Sequence, residues 1–156
     1  MATAITVRQF LDHRHLPYEE VAHQRTSTSL QAAKATMIAP RQLAKAVLLE
    51  DGAHYVMVIL PTARHVRLGD LRHQFGRNFG MATEHSVASI FKDCAPGAVP
   101  ALGPAYGLET IWDESLVSGL EVYFEAGDHE HLIRMRTSDY LELVRDCPHG
   151  IFSEPG

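Results

Sequence analysis

An α+β domain, with a mixed and mostly antiparallel central sheet and helices packed around it, is the fold class this chain predicts. Three observations predict it. Two consecutive segments, Gln42 to Leu49 and His54 to Leu60, are apolar on both alternating faces and flank Asp51-Gly52, so they read as a buried hairpin or neighbouring central strands. Three more strand-like segments follow one another late in the chain, while helical stripes lie before, between and after these groups. Finally, 156 residues at 46% hydrophobic content suffice for one core, and no break in composition divides them, so residues 1–156 are expected to form a single domain.

The elements follow in order. Thr6 and Gln9 have the spacing of a capping box, and Val7, Phe10 and Leu11 supply an apolar stripe, predicting a helix to about His15 that Pro17 ends. Tyr18 to His23 reads as a short strand. Thr28 and Gln31 repeat the capping spacing ahead of a second helix. After the hairpin, Asp70 to Phe75 predicts a short helix closed by Gly76, and Thr83 can cap another over Glu84 to Phe91. The stretch Ala95 to Gly107 is rich in Gly and Pro yet too apolar for a solvated linker. Strands are expected at Thr110 to Trp112, Leu120 to Ala126 and His131 to Arg136, then a last helix from Ser138 to about Asp146.

Charge bounds the function. The net charge is -5, but residues 1–108 carry 11 Lys+Arg against 8 Asp+Glu, and residues 109–156 carry 3 against 11. A polyanionic partner would therefore meet the N-terminal two-thirds, unless the asymmetry is ordinary solvated surface. Cys94 and Cys147 lie far apart with no CxxC pattern, which points to reduced thiols. No apolar run reaches the ~18 residues of a membrane span and the N-terminus lacks a signal-peptide core, so the expectation is a cytoplasmic protein without membrane contact.

Lys45 carries the most chemistry. The strand period puts it on one face with Leu43, Val47 and Leu49, in a segment that looks buried on both sides. An ammonium there either snorkels to water along its stem or enters a cleft, where it can hold a phosphate or stabilise an oxyanion. Gly97-Ala98-Val99-Pro100, continuing to Gly103, can bring backbone N–H groups to a ligand, or can be a plain structural turn. No GxSxG elbow and no Cys–His pairing supports a covalent nucleophile. His129 and His131 behind Asp128 could face one way on a strand, but a third metal ligand is not evident, so no metal and no organic cofactor is expected. Arg64, His65, Arg67, Arg72, His73 and Arg77 form the densest basic segment, able to track the phosphates of a nucleic acid or to serve as a solvated face.

Several of these segments together resemble the YbaK/prolyl-tRNA synthetase-associated domain family of aminoacyl-tRNA editing proteins. The similarity runs through Tyr18-Glu-Glu-Val-Ala-His23, Thr26-Ser-Thr-Ser29, Leu43-Ala-Lys45-Ala-Val-Leu-Leu49, Leu60-Pro61, Ala82-Thr-Glu84, Gly97 to Gly103, Asp113-Glu-Ser-Leu116 and Ala126-Gly-Asp-His129. It implies a barrel-like mixed sheet and a hydrolase acting in trans on mischarged aminoacyl-tRNA, with Lys45 as the central residue and Gly97 to Pro100 around the scissile ester. His131 is similar to a histidine that the synthetase insertion domains place after Gly-Ala-Asn, where this chain has Ala126-Gly127-Asp128. Some relatives carry Asn after the lysine; Ala46 here leaves the amino-acid preference open. Candidate pocket walls are Met81, Ala82, Phe124 and His129. Implied partners are aminoacyl-tRNA and a synthetase, with the chain a monomer or weak dimer. The rival readings are a binding module that uses the same pocket without cleavage, a metal-dependent hydrolase on His129 and His131, and a hydrolase of small esters or amides.

Overall fold

The Asp51-Gly52 hairpin forms the middle of the sheet. In the computed structural model, which describes residues 3–52 and 54–156, β2 (Leu43–Asp51) and β3 (His54–Pro61) pair antiparallel from Ala44↔Pro61 to Asp51↔His54, and Gly52 takes φ 63°. Glycine adopts that left-handed conformation without a Cβ penalty. Around this pair stand β1 (Glu19–Ala22), β4 (Arg64–Val66), β5 (Gly80–Met81), β6 (Glu109–Asp113), β7 (Glu121–Glu125), β8 (His131–Arg136), β9 (His149–Gly150) and β10 (Ser153–Pro155). The main sheet runs β1-β8-β7-β2-β3-β6-β9, with β5 added to β2, while β4 and β10 make a separate ribbon. The β2–β3, β7–β8, β1–β8 and β2–β5 pairs are antiparallel; β2–β7, β3–β6 and β6–β9 are parallel. The mixed, mostly antiparallel α+β class is thus the one the apolar pattern predicts.

Five α-helices clothe the sheet among the described residues: α1 (Ile5–His13), α2 (Ser29–Ala35), α3 (Leu68–Phe75), α4 (Glu84–Ile90) and α5 (Thr137–Val144). On one face, Val7 and Leu11 of α1 and Tyr140 and Val144 of α5 close over Ala44, Met57, Ile59, Phe124 and Ile133. On the other, Leu71 of α3 packs with Leu49, Val56, Val58 and Ile111, and Ala32 and Ala33 of α2 pack on Leu43, Tyr123 and Leu132. At ~25 cal/mol per Å² of apolar surface, these two buried layers are the main driving force for the fold.

Thr28 and Thr83 cap α2 and α4 as expected, each accepting from the backbone N–H three residues on, and Gly76 closes α3 at φ 60°. The first helix differs. Its N-cap is Ala4, so Thr6 lies inside the first turn and no capping box forms with Gln9. The Thr6 N–H donates instead to Asp93 Oδ2 at 2.9 Å, a cap supplied from a distant part of the chain. The apolar Gly/Pro stretch is folded inward: Ala98, Ala101 and Leu102 are fully buried, and Tyr140 Oη donates to the Ala101 carbonyl. No described helix is long and apolar enough to cross a membrane.

Candidate active site

The site begins as a gap in the edge of β2. That edge pairs with β7 only at Leu43 and Ala44 and with β5 only at Leu49 and Glu50. Between them Leu48 offers its carbonyl to Ala82 N–H, but no strand covers residues 45–47. Because the Leu43 carbonyl accepts from Thr62, odd-numbered β2 residues turn their amides toward β3 and Ala46 turns its own into the gap. This uncovered edge corrects the expectation that β2 is buried on both faces: Lys45, Ala46 and Val47 are half-buried.

Lys45 sits in this breach and, with Ser29, Ala46, Leu48, Met57, Val87, Phe91, Gly97 and Val99, lines a cavity of about 180 Å³. Burial lowers its pKa, since few groups there replace the water an ammonium loses. A larger hollow of about 770 Å³ continues outward along α4 and the loop after it, sharing Ala46, Leu48, Val87, Phe91, Gly97 and Val99 and adding Met81, Ala82, Glu84, Lys92 and Pro96. The lysine and the glycine loop, far apart in sequence, therefore line one concave surface.

Gly97 takes φ 83°, and a Cβ there would lie 3.4 Å from the His129 ring and 3.7 Å from the Ser27 carbonyl. His129 itself holds φ 64°, uncommon for a residue with a side chain, in the tight turn between β7 and β8. Its Nε2 donates to the Pro96 carbonyl, which leaves Nδ1 as an acceptor that is buried without a partner. Thr26 N–H donates to the His129 carbonyl at 3.1 Å, so the segment leading into α2, the β7–β8 turn and the Gly97 loop are tied together. Asp128 supports the turn, accepting from Glu130 N–H and His131 N–H at 2.9 Å and meeting His131 Nδ1 at 2.8 Å.

Of the residues singled out in the sequence, Lys45, Gly97, Val99, Met81 and Ala82 line the hollows, and His129 touches Gly97 from behind. Ala98 and Pro100 are buried beneath the loop, with Ala98 N–H already donating to Ala95. Gly103 packs on β6, where a Cβ would fall 2.0 Å from Thr110 Oγ1, and Gly127 abuts Ala4 and Cys94. Phe124 is wholly buried in the core, while Asp128 and His131 pair with each other outside the cavity lining. No described group of three His, Cys, Asp or Glu side chains gathers around His129 and His131. The basic segment is engaged internally: Arg64 donates to Ser153, Arg67 meets Asp70 and Glu154, Arg72 donates to the Phe79 carbonyl, and Arg77 pairs with Asp51 and Glu109.

Sequence reasoning missed Ser29, Met57, Val87 and Phe91 as lining, because nothing local distinguishes them from core. It also passed over Glu125, an acid in the apolar run Val122-Tyr-Phe-Glu125-Ala126 that is only 2% exposed, with neither carboxyl oxygen hydrogen-bonded. Burial, and then the charge of Asp128, pushes its pKa up to about 7.

Comparison with known proteins agrees with the geometry. The model of the family described as aminoacyl-tRNA editing domain matches residues 23–143. No curated protein sequence matches significantly. Among solved structures, the hypothetical protein APE2540 superposes with a TM-score of 0.82 at 20% identity, over 96% of this chain and 99% of that one. A candidate trans-editing enzyme for prolyl tRNA synthetase gives 0.81 at 23% identity, over 97% and 96%. A candidate signal transduction protein from Marinobacter aquaeolei VT8 gives 0.78 at 20% identity; 96% of this chain matches 30% of that longer one. At these identities the superpositions establish the fold.

Proposed function

Since the chain belongs to the aminoacyl-tRNA editing domain family, we propose that it is a trans-editing hydrolase that deacylates mischarged aminoacyl-tRNA, with Lys45 at the centre of the reaction. The observation that carries this reading is the single cavity lined by both Lys45 and Gly97. Water attacks the ester carbonyl carbon, negative charge builds on the carbonyl oxygen, and the bond to the ribose oxygen breaks. The ribose oxygen takes up a proton, leaving a free amino acid and a tRNA 3′ hydroxyl. The Lys45 cation offsets the developing charge, and a half-buried cation does so more strongly than one in bulk water. Ala98 N–H is occupied, so the candidate main-chain donors of this loop are those of Gly97 and Val99, which both line the cavity.

The two hollows suit the two ends of the substrate. A space of about 180 Å³ admits a small side chain and excludes a bulky one by collision, whereas about 770 Å³ lies within the ~300–1,000 Å³ of pockets that hold nucleoside-sized ligands. Besides Lys45, which serves here as the cation, the described lining of the smaller cavity holds no titratable side chain, so the attacking water is oriented by the substrate's own hydroxyl or amine.

Incubating tRNAs charged with Ala, Ser, Cys and Thr with wild type and Lys45→Ala tests this. Wild type should release at least one amino acid and Lys45→Ala should be slower by roughly 10²–10³-fold, the cost of removing one transition-state charge donor. Release of none by wild type would favour a binding module that uses the same pocket.

A further inference from the structure

The gap in the edge of β2 leaves one pair of main-chain groups unclaimed. The parallel ladder with β7 ends at Ala44↔Phe124, and on the far side the Leu48 carbonyl already serves Ala82. Between these points only Ala46 turns its N–H and carbonyl outward, because Lys45 and Val47 spend theirs on Leu60 and Val58 of β3. Among the described residues no hydrogen bond engages either Ala46 group. A backbone amide withdrawn from bulk water is nearly always paired, so an orphan beside a hollow points to a ligand.

The smaller cavity lies where those groups point. Lys45 projects from the sheet face that packs on α2, as Leu43 does, whereas Leu48 and Met57 project from the face closed by α1 and α5. Lys45, Leu48 and Met57 all line this cavity, with Ser29 at the start of α2 on one side and Val87 of α4 on the other. A cavity lined from both faces of a sheet must wrap an open edge. Ala46, in the middle of that edge, lines this cavity and the larger hollow alike.

The edge is too short to take another strand. Residues 45–47 span about 10 Å at ~3.3 Å each, and β7 and β5 stand at the two ends. One donor and one acceptor, side by side, are all it offers. A phosphate or a free carboxylate has acceptors alone and would leave the Ala46 carbonyl unmatched. An uncharged ester carbonyl beside a free ribose hydroxyl supplies both the acceptor and the donor. Those groups sit where an aminoacyl unit in the smaller hollow joins a nucleoside in the larger.

We propose that the Ala46 N–H is an oxyanion donor of the site: it donates to the carbonyl oxygen of the esterified amino acid, while the Ala46 carbonyl accepts from the neighbouring ribose hydroxyl. This rests on the editing reading given above. As the oxygen of water bonds to the carbonyl carbon, the C–O π pair moves onto the carbonyl oxygen. The Ala46 amide strengthens its hydrogen bond to that oxygen and gives up no proton. Held by the β2–β3 ladder, this donor needs no reorganisation at that moment, and it does not depend on which side chain follows Lys45.

The test removes the N–H and keeps the side chain: lactic acid, the α-hydroxy analogue of alanine, replaces Ala46 by nonsense suppression and leaves a backbone ester. On tRNA carrying an amino acid that wild type releases, kcat should fall roughly 10²–10³-fold while KM changes less than about threefold. Ala46→Pro lacks the same donor, is tolerated on a strand edge, and should lose as much. The α-hydroxy analogue of valine at Val58, whose N–H is spent on Val47, should lower the melting temperature and keep the activity. An equal loss of activity there would assign the effect to a weakened sheet and overturn the proposal, as would a folded Ala46 ester that turns over within about threefold of wild type. Wild type is also followed by NMR with 3′-deoxy-3′-(alanylamino)adenosine, whose amide carbonyl takes the place of the ester. The Ala46 amide proton should move downfield and exchange more slowly; no change at saturation would overturn the donor. If wild type hydrolyses no charged tRNA the editing reading falls, and this Ala46 signal alone then decides whether the donor site stands.

Discussion

A carboxyl group held two per cent exposed with no hydrogen-bond donor is a liability the fold carries at Glu125, and pH reveals it. Its ordinary pKa of 4.5 rises to about 7 in the folded chain, first through burial and then through Asp128. The charge that acts on it is that of Asp128, in the β7–β8 turn. The unfolded chain loses this proton near 4.5 and the folded chain near 7, so the folded state binds more proton between those values. Stability therefore falls as pH rises through that window. Glu125→Gln removes the titration: the variant should match wild type near pH 4 and exceed it at pH 8 by roughly 3 kcal/mol at most, the worth of the raised pKa. Urea midpoints across pH read this directly, and parallel profiles for the two proteins would contradict it.

At the scale of elements, the Gly97 loop and the β7–β8 turn act as one piece. Gly97→Ala strains a φ of 83° and pushes a methyl toward the His129 ring, whereas Gly107→Ala strains a φ of 66° with open space around it. Both should lose about 1 kcal/mol of stability, but only Gly97→Ala should also slow deacylation, by tenfold or more, because only it displaces a site residue. Equal activities in the two variants would detach the loop from the chemistry. The same contrast explains what the chain discloses by itself. Thr28, Thr83 and Gly76 signal through neighbours three or four residues away, and the helix ends they predict are present. Thr6 mimics that signal, yet it lies inside the first turn and its own N–H donates to Asp93, 87 positions later, which no local pattern reveals. β4, β5, β9 and β10 have two or three residues each, too few to show a period, and β5 helps define the gap that makes the site. Lys45 was legible because a charge interrupts an apolar strand; Glu125 breaks β7 in the same way and bears the same kind of signal.

Across the whole molecule, the distribution of charge that first suggested a tRNA face resolves into two unequal sets of cations. Arg77 joins the end of β2 through Asp51 to the start of β6 through Glu109 and lies 4.8 Å above the Phe79 ring, a bracing role. Lys92 is exposed on the rim of the larger hollow, which on the proposed reading receives the 3′ end. A cation already matched by carboxylates releases few counterions on binding a polyanion, while an exposed one contributes about one unit to the slope of log affinity against log salt. Lys92→Ala should accordingly raise KM for charged tRNA about 3–10-fold and flatten the salt dependence by about one, with an unchanged melting temperature. Arg77→Ala should lower the melting temperature by a few degrees, as for a loss of ~1 kcal/mol, and leave the salt slope alone. The reverse pattern, with Arg77→Ala flattening the slope and Lys92→Ala silent, would return the tRNA path to the segment from Arg64 to Arg77 and away from the mouth of the cavity.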